Sequence, residues 1–271
     1  MLIADDGLPA DEVGNWVKEK HTYLLRYIDI SRAARKKYLG NGKAGAAYFD
    51  LFCGCGRSQV RDTDEFVDGS AIAAWKKSVE NGAPFSAVYV SDINQESLVS
   101  CVERLQRLNA PVSYYHGDAV EAAQKFAYSA NLNGLNMAFV DPYNLESLDY
   151  EIITAFSSLK RIDLVVHVSA MDLQRNLKTN LSLEESAFDK FAPGWRNNVQ
   201  LGGTQFAMRE RIIKYWREKV QALGTWPSVE QRLIRGTKNQ PLYWLLMISK
   251  SSLAHNFWGK AANTEKQGSL F

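Results

Sequence analysis

Tyr48-Phe49-Asp50-Leu51-Phe52-Cys53-Gly54-Cys55-Gly56 reads as a buried strand that breaks into a glycine-spaced turn. Its aromatic and branched residues favour an extended chain, and Gly54 and Gly56 permit a turn in which no side chain blocks a close ligand. In an α/β domain such an element presents backbone to a nucleoside-bearing cofactor. Taken alone, Gly-x-Gly after a strand is equally a plain turn. Asp50 narrows the choice of ligand, because its carboxylate repels a pyrophosphate and suits a cofactor with a cationic amino-acid end. Alternatively, Asp50 caps the following helix or pairs with Arg57.

Three later strand ends carry acids at the spacing of successive βα units. Ser86 to Asp92 is a second strand, and Asp92 is placed to accept hydrogen bonds from the two hydroxyls of a ribose. Its rival role is N-cap of the helix beginning near Gln95. Val112 to Asp118 is a third strand with a turn, where Asp118 suits an exocyclic adenine amine or else caps the helix Glu121 to Ala130. Met137 to Asn144 supplies the fourth. Its Asp141-Pro142-Tyr143-Asn144 segment puts a carboxylate and an aromatic ring into the same crevice. The competing reading is that Pro142 ends the strand and Tyr143 packs beneath a loop.

These residues resemble the Rossmann-like methyltransferases that use S-adenosylmethionine. Within them the chain is similar to the three-Cys-motif partner protein family, through YFDLFCGCGRSQV, VDGSAIAAW, YVSDIN, GDA, AFVDPYNLESLDYEIITAF, DLVVHVSAMDLQRNL, GWRNNV, GGTQFAMRERIIKYWREKVQALG and PLYWLLMISKSSLAHNFWGKA, in that order. The resemblance runs from about Trp16 to Lys260. It implies that Asp50, Gly54 and Gly56 border the methionine end of the cofactor, Asp92 the ribose and Asp118 the adenine. It places Asp141 and Tyr143 on the methyl-transfer side as the catalytic pair. The segment also resembles the Asp-Pro-Pro-Tyr tetrad of amino-methylating enzymes, with Tyr143 standing where the second proline would be. The implied activity is methyl transfer to a nitrogen or oxygen acceptor, in concert with an iron-sulfur or radical-type protein that carries the three cysteines. A catalytically silent scaffold that binds cofactor or partner is the alternative. A nicotinamide oxidoreductase fits poorly, because a short-chain dehydrogenase's Tyr-x-x-x-Lys is missing where it is needed.

Composition bounds the remaining possibilities. With 271 residues, 46% of them hydrophobic, the chain can bury the core of one large α/β domain. Its 32 basic and 30 acidic side chains give a net charge of +2, so no global field calls for nucleic acid. Basic runs at Arg32 to Lys37 and Arg209 to Lys219 leave local nucleic-acid contact open, though such helical stretches are commonly solvated faces. Cys53, Cys55 and Cys101 form no metal-ligand or disulfide pattern, and His21, His116, His167 and His255 are scattered without metal spacing. No metal is expected, and a reducing cytoplasm fits. No apolar run reaches the roughly 20 residues needed to span a bilayer, and the start lacks an export signal.

The expected fold class is α/β, a Rossmann-like methyltransferase fold with a mostly parallel central sheet flanked by helices and a C-terminal antiparallel hairpin. Residues 1–40 are read as a helical segment packing on the core, with the helix over Val13 to Tyr38, and 41–271 as the α/β domain. Crossover helices are expected at Ser70 to Asn81 and Glu96 to Leu108, a further helix at Leu148 to Leu159, and an interior strand at Ile162 to Val168. The irregular segment 172–203 is a candidate lid or a plain connector. Gln205 to Leu223 is helical, and Val229 to Ile234 with Leu242 to Ser249 forms the hairpin.

Overall fold

The computed structural model describes residues 2–263. In chain order these form β1 (Leu2–Ile3), β2 (Pro9–Val13), α1 (Trp16–Ile30), α2 (Arg32–Lys36), β3 (Ala46–Asp50), β4 (Arg57–Val60), β5 (Phe66–Asp68), α3 (Ser70–Glu80), β6 (Ala87–Asp92), α4 (Gln95–Arg107), β7 (Val112–His116), α5 (Ala119–Ser129), β8 (Leu135–Val140), α6 (Tyr150–Ser157) and β9 (Ile162–Ser169). Four short helices follow, α7 (Ala170–Arg175), α8 (Leu177–Ser182), α9 (Ala187–Phe191) and α10 (Trp195–Asn198). The chain then runs through α11 (Gln205–Ala222), β10 (Trp226–Arg235), β11 (Pro241–Ser249) and α12 (Ser252–Ala262).

Seven strands make the central sheet in the order β10-β11-β9-β8-β3-β6-β7. The five from β9 to β7 are parallel, and β11 pairs antiparallel with both β9 and β10. The hairpin therefore joins the sheet edge beside β9, with Tyr243 opposite Ser169 and Ser249 opposite Asp163. Side-chain alternation sends Phe49, Ala138, Leu164 and Leu246 to one face, where they meet Phe126, Ile153 and Trp216. Tyr48, Phe139, Val165 and Leu245 go to the other, against Leu24, Ile72, Leu98 and Trp258. Burial on both faces explains why β3, β8 and β9 read as nearly continuous apolar runs. The chain moves outward from β3 through β6 to β7 and then returns to β8 on β3's other side. That reversal leaves a crevice at the carboxyl ends of the parallel strands, the usual ligand position in open α/β sheets.

The N-terminal expectation needs correction. Helix begins only at Trp16 and is interrupted at Ser31, and α1 packs Tyr23, Leu24, Tyr27 and Ile28 into the core. Ahead of it β1 and β2 join β4 and β5 in a second, four-stranded sheet, with β2 parallel to β4 and Asp11 opposite Ser58. Strands this short and polar carry too few alternating apolar residues to be read from sequence. They are held from outside by buried Arg104 of α4. Its guanidinium donates to Asp6 at 2.7 and 2.6 Å, to Pro9 O at 2.8 Å and to Cys55 O at 2.6 Å. This one side chain ties the extra sheet to the glycine turn.

Segment 172–203 spans most of the four short helices and buries Leu173, Leu177, Phe188, Phe191 and Trp195 in the core beside α11. The Phe191 ring stacks on Trp216 at 5.0 Å. Among the described residues no helix is long and apolar enough to cross a membrane.

Candidate functional site

Four acids singled out in the sequence stand at or just beyond the ends of adjacent parallel strands: Asp50 on β3, Asp92 on β6, Asp118 after β7 and Asp141 after β8. Two neighbouring cavities open there. One, about 440 Å³, is lined by Asp11, Lys20, His21, Cys53, Gly54, Gly56, Asp141, Tyr143, His167 and Tyr243 among others. The second, about 230 Å³, is lined by Asp92, Gly117, Asp118 and Tyr143. Tyr143 belongs to both and is 74% exposed, so it does not pack beneath a loop.

The glycine turn is built as its residue types require. Gly54 and Gly56 have φ of 54° and 77°, in the left-handed region that side chains disfavour. A Cβ on Gly54 would lie 2.6 Å from Asp11 Oδ2, and one on Gly56 3.1 Å from Cys101 Sγ. The turn's amides already have partners. Cys53 N donates to Ser91 O at 3.1 Å, Gly54 N to Asp92 Oδ2 at 2.9 Å and Cys55 N to Asp11 Oδ2 at 2.8 Å. Two of the three N–H groups that could cradle a phosphate thus face carboxylates.

Asp50 is fully buried below this turn. It accepts hydrogen bonds from Ser70 Oγ at 2.6 Å, Tyr48 OH at 3.3 Å and Phe52 N at 3.3 Å. Burial pushes its carboxyl up to about 6, against the lowering effect of these donors. It does not pair with Arg57, whose guanidinium is taken by Asp5 and Asp68. Asp92 is likewise pushed up by burial. The cap of α4 is Asn94, which accepts from Ser97 N at 2.9 Å, and Asp92 instead accepts from Asn94 N at 2.8 Å. Asp118 does cap α5, accepting from Val120 N at 2.7 Å, while remaining on the cavity wall.

Asp141 sits in a constellation that sequence reading found only in part. Its Oδ2 accepts a hydrogen bond from Lys20 Nζ, and its Oδ1 lies 2.8 Å from His167 Nδ1. Burial opposes its charge, but the Lys20 ammonium and the His167 contact outweigh it and hold the carboxyl well below the usual range. The His167 ring lies 3.8 Å, centroid to centroid, from that of Tyr243. The Tyr243 hydroxyl is buried and has no hydrogen-bond partner among the described residues. Burial pushes the neighbouring His21 down to about 3, so it is neutral at physiological pH. Lys20, His167 and Tyr243 come from α1, β9 and β11, and Asp11 from β2. Only the assembled sheet brings them together. The sole signal in the sequence was that His167 and Asp163 interrupt an otherwise apolar strand.

The two cysteines of the turn are poor nucleophiles. Burial pushes Cys55 up to about 11 and raises Cys53 as well.

The strand order and this crevice define the architecture. It is the Rossmann-like methyltransferase fold. Among solved structures the chain is similar to a Legionella pneumophila protein of the DUF519 family model, at 12% identity and TM-score 0.52, covering 85% of each chain. It is also similar to the O-methyltransferase TomG from Streptomyces achromogenes in complex with SAM, at 14% identity and TM-score 0.47, over 86% of this chain and 80% of that one. A third is the N-methyltransferase NodS from Bradyrhizobium japonicum in complex with S-adenosyl-L-homocysteine, at 14% identity and TM-score 0.43, over 87% and 88%. Likeness at such low identity bears on fold alone. No family model and no curated protein matches the chain.

Proposed function

We propose that this protein transfers a methyl group from S-adenosylmethionine to a nitrogen or oxygen acceptor. The observation that carries the reading is the charge of the glycine turn. Its amides are occupied by Asp11 and Asp92, and Asp50 lies beneath. A pyrophosphate would bring two negative charges to three carboxylates, whereas a ligand whose sulfonium and ammonium outnumber its single carboxylate brings a net positive charge to them. The donor set therefore fits this cofactor better than a dinucleotide. Asp92 and Asp118 would hold its ribose and adenine in the smaller cavity, and Asp11, Gly54 and Gly56 its amino-acid end in the larger, above the buried Asp50 carboxylate. When bound, it supplies the electrophilic methyl group. The chain supplies alignment and a dry wall: Asp141 and Tyr143 orient the acceptor, and such positioning is most of what methyl transfer needs.

A non-catalytic scaffold is the second reading, favoured by the engagement of both Asp141 oxygens by Lys20 and His167. Membership of the three-Cys-motif partner family, an iron-sulfur or radical-type partner, and a cytoplasmic location rest on the sequence resemblance and the cysteine pattern. The test is transfer of labelled methyl from S-adenosylmethionine into protein, nucleic-acid and small-molecule fractions of a host extract, with and without the three-Cys-motif protein. Label in a product supports catalysis. Cofactor binding with no labelled product in any fraction moves the weight to the scaffold.

A further inference from the structure

We propose that His167 is the base that takes the acceptor's proton, and that the acceptor is a planar aromatic hydroxyl. This rests on the methyl-transfer reading. The inference starts from orientation. His167 Nδ1 is fixed against Asp141 Oδ1 at 2.8 Å, while Nε2 makes no hydrogen bond to the described residues and His167 lines the larger cavity. A carboxylate that holds Nδ1–H leaves Nε2 as the proton acceptor and stabilises the imidazolium formed there. Lys20 already supplies a countercharge to Asp141, so the carboxylate does not require a charged imidazole.

The charged and titratable groups around this ring come from every element packed on it. Lys20, His21 and Glu19 are on α1, Asp141 ends β8, Tyr243 is on β11, and Tyr48 and Asp50 lie beneath Asp141 on β3. Of these, His21 stays neutral and the Tyr243 hydroxyl is raised by burial, so neither competes for the proton. The acceptor class follows from the walls. Trp16, Phe52, Tyr143, Tyr243 and His167 all line the cavity, a concentration of aromatic residues that suits a flat guest. An amine with a free lone pair attacks without prior proton loss, whereas a hydroxyl needs a base. In the step, the acceptor O–H proton passes to Nε2 and the oxygen pair forms the O–CH3 bond. The S–CH3 bond breaks with its electron pair retained by sulfur, leaving a neutral thioether. The imidazolium then returns the proton to water.

The probe is 4-nitrophenol, whose phenolate is read by its own visible absorbance, with S-adenosylhomocysteine occupying the cofactor site so that no turnover is needed. At a pH about one unit below the probe's midpoint, only about one-tenth is ionised in water. Wild-type protein with S-adenosylhomocysteine should raise the phenolate signal about fivefold over that of the free probe. His167→Asn keeps a donor toward Asp141 but lacks Nε2. It should bind S-adenosylhomocysteine within about twofold of wild type by calorimetry and lose the phenolate gain. Its methylation of the phenol should fall about a hundredfold near neutrality and recover as pH rises past the probe's midpoint. The proposal is overturned if the probe does not bind or binds only as neutral phenol. It is also overturned if His167→Asn gives the wild-type signal, or is equally slow at every pH, as a structural role requires. Failure of wild type to bind S-adenosylhomocysteine at all overturns the methyl-transfer reading itself, a distinct result.

Discussion

Asp50→Asn should stabilise the free protein at neutral pH while weakening its hold on the cofactor. The carboxyl is fully buried, and its partners are three neutral donors, Ser70 Oγ–H, Tyr48 O–H and Phe52 N–H. Burial raises it from 3.8 to about 6. An acid raised on folding contributes its full stability below the unfolded value, and that contribution is lost as pH climbs through the folded value. The shift corresponds to about 3 kcal/mol between the two limits. An asparagine has no charge to desolvate, so the variant escapes this loss. A constant offset of about 1 kcal/mol is expected from its amide, which has two N–H donors to satisfy where the protonated acid has one O–H. Urea unfolding of both proteins at pH 4, 5, 6, 7 and 8 cancels the titrations they share. The difference in unfolding free energy should move in favour of the variant by about 2.4 kcal/mol from pH 4 to pH 8, with the change centred near pH 5. Affinity for S-adenosylmethionine should drop about tenfold or more with the lost negative charge. A stability difference that does not change with pH would refute the buried-charge reasoning.

Valine at Gly54 or Gly56 should cut cofactor affinity more than tenfold, and at Gly56 cost about 1–3 kcal/mol of stability from positive φ and contact with Cys101; calorimetry and urea melts report the two effects. Arg104→Gln should cost about 1–3 kcal/mol, chiefly by leaving Cys55 O and Pro9 O without their donor, since the exposed Asp6 carboxylate returns to water, and hydrogen exchange should show loss of protection first at Asp11 to Val13 and Ser58 to Val60. Asp141→Ala should keep cofactor affinity within about tenfold and lower methyl transfer about a hundredfold, because misplacement harms the transition state more than the ground state. Tyr143→Phe separates ring from hydroxyl in the same assay: an unchanged rate means that only the ring matters.

The parallel sheet was legible because its inner strands β3, β8 and β9 are buried on both faces and the strands end in marked residues. Asp50, Asp92 and Asp141 each follow an apolar run and Asp118 a short aromatic strand, and their spacing reads as successive strand ends along one crevice. The hairpin was legible from the apolar run Leu242 to Ser249 and a second short extended segment, Val229 to Ile234, joined to it by a turn containing Gly236 and Pro241. What sequence could not supply was pairing at a distance. Lys20 and Asp141 are 121 positions apart, and Asp11 and Cys55 44. Nothing in a short polar strand shows that its carboxylate will close a glycine turn. For the same reason Asp50 looked available to Arg57, until Asp5 and Asp68 were seen to hold the guanidinium. Local capping fared better for Asp118, where donor and acceptor are neighbours, than for Asp92, whose site two residues short of the true cap allowed two readings.

Calorimetric titration of the purified chain with S-adenosylmethionine, beside NAD and Asp92→Ala as comparisons, tests the cationic-cofactor site most directly. One-to-one binding of S-adenosylmethionine is expected, with no binding of the dinucleotide and a loss of about 1.5–3 kcal/mol on removing the Asp92 carboxylate. Absence of S-adenosylmethionine binding by wild type, or tight binding of the dinucleotide in its place, would contradict it.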